Sequence, residues 1–308
     1  MDVSDLRCVF SVNKSINETP NYSHIIIYNL ASNTIAKIKN GWIVILSAGY
    51  KDGNYGMIFT GEVVQHYVTR EEGVNTLLHL ICQDGDAFLN GSFTVKTLEK
   101  GSSAMDVVSA CADLPTNQIG QQVKGKPAYI RGKVMFGMSA KYLRGVAKTT
   151  ETQFYVEDRK INIVGAKDYG PNEAVLLTPE TGLIGDPTQT DNGVSGQCLI
   201  NPSIKLNTLI KIDSSYIVTK ALDNAESAKL SFASDGVYRI TKLTYEGDTH
   251  GDPWYCTFEA IDRASDAATG SGDGTGSQGT QAGSPTATTP EGTQESVLYQ
   301  LVNGNLWR

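Results

Sequence analysis

Of the four histidines in the 308-residue chain, only His250 sits where a proton could be handed to a substrate. It lies in Gly247-Asp248-Thr249-His250-Gly251-Asp252-Pro253-Trp254, a polar loop that opens an aromatic strand. Beside Asp248 or Asp252 it has the makings of a general base, and Trp254 those of a stacking platform for a sugar ring. That chemistry would belong to a cell-envelope polysaccharide hydrolase or a sugar-binding module. The simpler arrangement is a hairpin loop with turn residues and a core tryptophan. His24, His66 and His79 fall inside strand-like runs, where packed or edge histidines are expected. Cys8, Cys82, Cys111, Cys198 and Cys256 are odd in number and never closer than 29 residues, a spacing that suits buried thiols and neither a disulfide framework nor a zinc site. No Gly-x-Ser-x-Gly, HExxH or GxxxxGK[ST] pattern occurs. The expectation is a non-enzymatic protein with no catalytic residue, cofactor or metal ligand.

The elements that would position such residues are mostly strands. His24–Tyr28 and Trp42–Leu46 are β-branched or apolar runs of strand length, with Ala31–Ile38 long enough for a helical turn or two between them. Met57–Thr69 and Asn75–Gln83 continue in extended style. The texture changes near Gly91. Ser102 or Ser103 can cap a helix with Met105, Val108, Cys111 and Ala112 on one face and Asp106 in its first turn. Ser139 begins a second helix carrying Tyr142, Leu143, Val146 and Ala147, and Phe154, Val156, Ile161 and Ile163 alternate with polar residues and Tyr155 around an Asp158-Arg159 turn. Strands return after Asn172, at Ala174–Leu177, Gln197–Ile200, Thr208–Ile212, Val237–Tyr245 and Trp254–Ile261. An internal echo appears: Asn40–Ile45 followed by Gly56–Val63 is similar to Asn207–Ile212 followed by Gly236–Leu243.

Composition fits that texture. Hydrophobic residues make up 40% and charged residues 19%, with 31 Gly and 14 Tyr. The 26 Lys and Arg against 33 Asp and Glu leave −7, which gives no footprint for gripping nucleic acid or an anionic membrane. No stretch approaches the length of a membrane helix, and the N-terminus has no signal-like run, so a soluble protein made in a cytoplasm is expected. The 32 residues 264–295 hold 7 Gly, 7 Thr, 4 Ser and 2 Pro and no large apolar side chain, the composition of a tether. Apolar residues then resume in Ser296–Arg308. Either this segment folds back onto its own body, or Val297, Leu298, Tyr299, Leu301, Val302, Leu306 and Trp307 form a face that docks on another subunit.

The order of several motifs resembles the baseplate hub proteins of contractile-tailed phages. They are Ile25–Leu30, Asn40-Gly41, Ile45–Tyr50 and Gly56–Glu62 in the first half, Met105–Val108 between the halves, and Leu176–Pro187, Asp191–Val194, Leu199–Pro202 and Gly247–Trp254 in the second, spread over residues 6–262. The resemblance implies a mainly β fold of two tail-tube-like β-barrel domains, 1–92 and 172–263, around a small α/β domain at 93–171. Residues 264–295 follow as a disordered linker and 296–308 as a docking segment outside the family pattern. It further implies a homotrimer whose six barrels meet a hexameric tail tube or tube-initiator protein, while its threefold axis receives a trimeric central spike. Other baseplate subunits would meet the C-terminal segment. DNA would cross the lumen without specific binding, nothing would insert in a membrane, and the virion part would be assembled in the host cytoplasm. On that reading, three copies at −7 surround a channel whose acidity would repel DNA.

Overall fold

The computed structural model describes residues 3, 5–50, 53–112, 119–120, 129, 131–165, 173–190, 193–217, 236–262 and 298–302. In β1 (Cys8–Ser15) and β2 (Asn21–Tyr28) buried positions alternate with more open ones, so Phe10, Val12, Ile25 and Ile27 enter the core. A single helical turn, α1 (Ser32–Ile35), leads to β3 (Ile43–Gly49), β4 (Tyr55–Glu71) and β5 (Asn75–Asp84). The second half contains β10 (Val175–Leu177), β11 (Leu183–Thr190), β12 (Gly193–Leu199), β13 (Leu209–Ile212), β14 (Val237–Asp248) and β15 (Trp254–Asp262), and β16 (Leu298–Val302) comes last.

Between the halves lie α2 (Asp86–Gly91), β6 (Phe93–Leu98), α3 (Ala104–Ala112), β7 (Lys133–Met138), α4 (Ser139–Thr149), β8 (Thr152–Glu157) and β9 (Lys160–Gly165). The start of α3 is the expected cap. Ser103 N–H and Oγ donate to Asp106 Oδ2 at 2.7 and 2.9 Å, and Asp106 N–H donates back to Ser103 Oγ at 3.2 Å. Val107, Val108, Cys111, Leu143 and Val146 join Leu89, Met135 and Phe154 in a core of their own.

One sheet passes through both halves. Its main path runs β11-β12-β15-β14-β1-β2-β5-β4-β3-β16, with β13 on β14 and β10 on β13. The expected pair of barrels therefore takes a different form: the path stays open at β11 and β16 among the described residues. The cause is β1, whose second edge pairs with β14 from Val9↔Asp248 to Ser15↔Lys242 instead of with a strand of its own half.

Within this sheet the five-strand order β1-β2-β5-β4-β3 is repeated as β11-β12-β15-β14-β13. Details repeat as well. Gly41 N–H donates to Val63 O and Val63 N–H to Trp42 O, both at 2.8 Å, just as Asn207 N–H donates to Ile240 O at 3.0 Å and Ile240 N–H to Thr208 O at 2.9 Å. Gly41 and Asn207 both have left-handed φ, +83° and +61°. The pairing β4–β5 slips between Val63 and Gln65, and β14–β15 slips between Ile240 and Lys242. The echo in the sequence thus has a structural counterpart, but with Gly41 matched to Asn207 and Val63 to Ile240. The letter match instead aligned Asn40 with Asn207 and Val63 with Leu243, because chance identities at turns outweigh register.

Candidate functional site

The β8–β9 hairpin joins the α/β unit to the sheet. Asp158 and Arg159 have φ of +51° and +62°, the left-handed pair that a two-residue hairpin turn requires. Both faces of this hairpin are buried. Phe154, Val156, Ile161 and Ile163 pack into the α/β core, while Tyr155 and Val164 belong to the core of the sheet.

The tip of the hairpin enters a buried charge cluster. Lys14 Nζ, at the end of the inward row Phe10-Val12-Lys14 of β1, donates to Asp158 Oδ1 at 3.0 Å and lies 3.4 Å from Glu157 Oε1. Lys205 Nζ from the second half donates to Asp158 Oδ2 at 3.2 Å, and Leu206 N–H to Glu157 Oε1 at 3.3 Å. Asp84 ends the inward row Leu80-Cys82-Asp84 of β5. Its Oδ1 accepts from Arg159 N–H at 2.9 Å, and its buried Oδ2 has no hydrogen-bond partner among the described residues. Asn21 Nδ2 donates to Val156 O at 2.7 Å.

Charge balance explains how these groups titrate. Two ammonium groups, Lys14 and Lys205, are matched by two carboxylates, Glu157 and Asp158, so a third buried charge is surplus. Burial and then the repulsion of Asp158 push Asp84 up to about 7. Burial likewise raises Glu157. It opposes the charges on Asp158 and Lys14 too, but their mutual attraction outweighs it and holds Asp158 below, and Lys14 above, their ordinary ranges. The cluster ties three parts of the chain at one point. It was missed in the sequence, although the inward parity of β1 and β5 marks both Lys14 and Asp84.

The His250 loop is built differently from a catalytic site. Both oxygens of Asp248 accept from the Arg7 guanidinium, at 3.1 and 2.7 Å, and Oδ1 also accepts from His250 N–H at 2.9 Å. Trp254 is 6% exposed and meets Phe10 edge-on at 5.6 Å, which leaves too little open ring for a sugar to stack on. His24 and His79 bond to each other at 3.1 Å, and His66 Nδ1 meets Asn40 Oδ1 at 3.0 Å. All five cysteines are buried thiols. Among the described residues no group of three or more His, Cys, Asp or Glu side chains could hold a metal ion, and no helix is long and apolar enough to cross a membrane.

Surfaces carry more information than cavities. An open groove at the end of β6 is lined by Lys96, Glu99, Ser102 and Asp106, and Asp106 is already engaged as the α3 cap. On the outer face of the β6–β7 ribbon Phe93, Val95, Val134 and Phe136 are all exposed, with Phe93 and Phe136 edge-to-face at 5.1 Å. Net charge is segregated: residues 93–171 hold 12 Lys and Arg against 7 Asp and Glu, whereas 1–92 and 172–263 carry −3 and −6. Of the residues expected to dock, Leu298, Tyr299, Leu301 and Val302 lie on β16, which pairs antiparallel with β3 of the same chain from Leu298↔Ser47 to Val302↔Ile43. Val297, Leu306, Trp307 and the linker 264–295 lie outside the described residues.

Comparison with known proteins places this architecture. The model of the family described as "Baseplate hub gp41" matches residues 21–260. The fold is similar to the 43 kDa tail protein of prophage MuSo2 from Shewanella oneidensis, with TM-score 0.52 at 9% identity, over 84% of this chain and 98% of that one. It is similar to the tail protein from Neisseria meningitidis MC58, with TM-score 0.52 at 10% identity, over 83% of this chain and 91% of that one. A third likeness is to E. coli c3393, with TM-score 0.50 at 13% identity, over 83% of this chain and 73% of that one; its description makes it a type VI secretion component resembling T4 tail proteins gp27 and gp5. No curated protein matches in sequence. A family match across most of a chain built as a doubled, mainly β sheet leads to one conclusion: the chain belongs to the baseplate hub gp41 family and is a structural protein of a bacteriophage tail baseplate.

Proposed function

We propose that three copies of this chain form a ring that adapts the hexameric tail tube to a trimeric central spike. The observation that carries this reading is the repeated strand order, β1-β2-β5-β4-β3 and β11-β12-β15-β14-β13. A chain holding two versions of one unit presents six similar units from three copies, which meets a sixfold partner on one side while keeping a true threefold axis on the other. Each repeat corresponds to a tube-like domain, 1–92 and 172–263, with the α/β unit 93–171 between them. The two repeats together carry −9, more acidic than the whole chain at −7, so the ring would face DNA in the lumen with repulsion and no specific grip. The role is structural and without catalysis, in a virion part assembled in the host cytoplasm.

The C-terminal segment is the contact for a neighbouring baseplate subunit. Its strand Leu298–Val302 rests on β3 in the single chain and transfers to a partner edge on assembly. Imaging of purified tails tests the whole reading. Three copies around a central channel are expected. Six copies, or one peripheral copy, would overturn it, and a channel lined mainly by Lys and Arg would overturn its electrostatic part. Deleting residues 296–308 should leave the ring intact and weaken retention of its neighbour.

A further inference from the structure

The internal repeat identifies a strand edge that has no occupant among the described residues. In the second half, β14 uses one edge twice. Leu209–Lys211 of β13 pair with its first residues, and β1 pairs with Lys242–Asp248 beyond the slip after Ile240. In the first half β4 is the counterpart of β14. Its first residues hold β3 as far as Glu62, and the slip follows Val63. Past that point the same edge, from Gln65 to Glu71, carries no strand among the described residues. Conversely β11 is the counterpart of β1. It is the outermost strand of its half, paired on one edge with β12, and its other edge is open among the described residues.

We infer that the edge of β4 over Gln65–Glu71 pairs antiparallel with β11 of a neighbouring copy. The inference rests on the ring reading and supplies its subunit contact: each β14–β1 joint inside a chain is reproduced as a β4–β11 joint between chains. The register follows from the matched slips. The position of Glu246 in β14 corresponds to Thr69 in β4, and that of Ser11 in β1 to Thr188 in β11. Since Ser11 lies opposite Glu246, Thr188 of one copy lies opposite Thr69 of the next. By the same rule Gln189 lies opposite Val68.

Side chains at this edge agree. Val68 is 46% exposed, whereas Tyr245, its counterpart in β14, is 2% exposed because β1 and the other half cover it. Tyr67 and Val64 are also exposed. On β11 the buried Oε1 of Gln189 has no hydrogen-bond partner among the described residues. An uncovered apolar strand edge is a site for strand addition, and a heterologous contact of this kind closes into a ring. The slip in β11 between Ile184 and Thr188, at Pro187, confines the pairing to the residues on either side of it.

Cysteines at the two positions test the register. Opposed residues of antiparallel strands have Cα atoms about 4.5–5.5 Å apart, within reach of a disulfide. Tails carrying Thr69→Cys with Thr188→Cys, oxidised mildly, should yield covalent dimers and closed trimers, whereas Thr69→Cys with Ile184→Cys should not. Each single variant serves as the folding and assembly control. Val68→Lys, at an exposed position of the single chain, should weaken assembly at least tenfold. Assembled tails of three copies without the cross-link would overturn the edge pairing and leave the ring standing; six copies or one would overturn the ring itself. A bridge within one chain would overturn the pairing too.

Discussion

Asp84→Asn removes a buried charge without changing shape, and its effect on stability should depend on pH. In the folded chain the carboxyl is raised from 3.8 to about 7. Between those values the folded protein holds a proton that the unfolded chain has released, so stability falls as pH rises through this window and levels off above about 7. At ~1.4 kcal/mol for each tenfold change in binding, ionising Asp84 in place costs on the order of 4 kcal/mol, an upper figure because water and Lys14 can relax around it. Asparagine keeps an oxygen for the Arg159 N–H and places an amide where Oδ2 has no partner. The variant should therefore already be more stable than the natural chain near pH 5, by about 1–2 kcal/mol, since that pH lies inside the window. Near pH 8 the variant should be more stable by about 2–4 kcal/mol. Urea titrations at four pH values between 5 and 8 supply the test. A difference that is constant across pH, or a variant weaker at pH 8, would refute the charge-balance argument.

Two other perturbations probe the sheet. A Cβ on Gly193 would sit 2.0 Å from Ala260 O, in the ladder of β12 with β15, so Gly193→Ala should destabilise by at least 2–3 kcal/mol and expose the second half first to limited proteolysis. Burial works against the charge on Asp248, yet Arg7 and the His250 N–H hold it below the ordinary carboxylate range. Its contribution is present above pH 4 and fades as pH falls through the folded value. Asp248→Asn should thus cost about 1 kcal/mol at pH 7 and progressively less as pH falls below 4, as read by thermal unfolding at pH 7 and pH 3.

Strands set by local alternation were legible: the runs around Ile25–Ile27 and Val44–Leu46, the Ser103–Asp106 cap and the Asp158-Arg159 turn all follow from neighbours in sequence. Pairings between distant strands were not. Nothing local in Cys8–Ser15 says that its second edge belongs to β14, so the sequence reads as two separate barrels where one sheet runs through. Nor did alternation reveal that Tyr155 and Glu157 are buried, because a hairpin wedged between two cores has no outward face. The His250 loop carried the residue types of a base and a platform, but Arg7, remote in sequence, takes up the Asp248 carboxylate.

The β1–β14 joint also has a timetable. Cys8 N–H donates to Thr249 Oγ1, 241 residues further on. At ~5–20 residues per second a ribosome needs roughly 12–50 seconds to make that much chain, and for this time the oldest strand waits with one edge bare. On a polysome the neighbouring nascent chains wait in the same condition, each offering an edge of similar shape. The first strand is thus exposed longest to capture by a wrong copy, and early folding of β2 and β5 against it, with the α/β unit close behind, limits what a stray chain can reach.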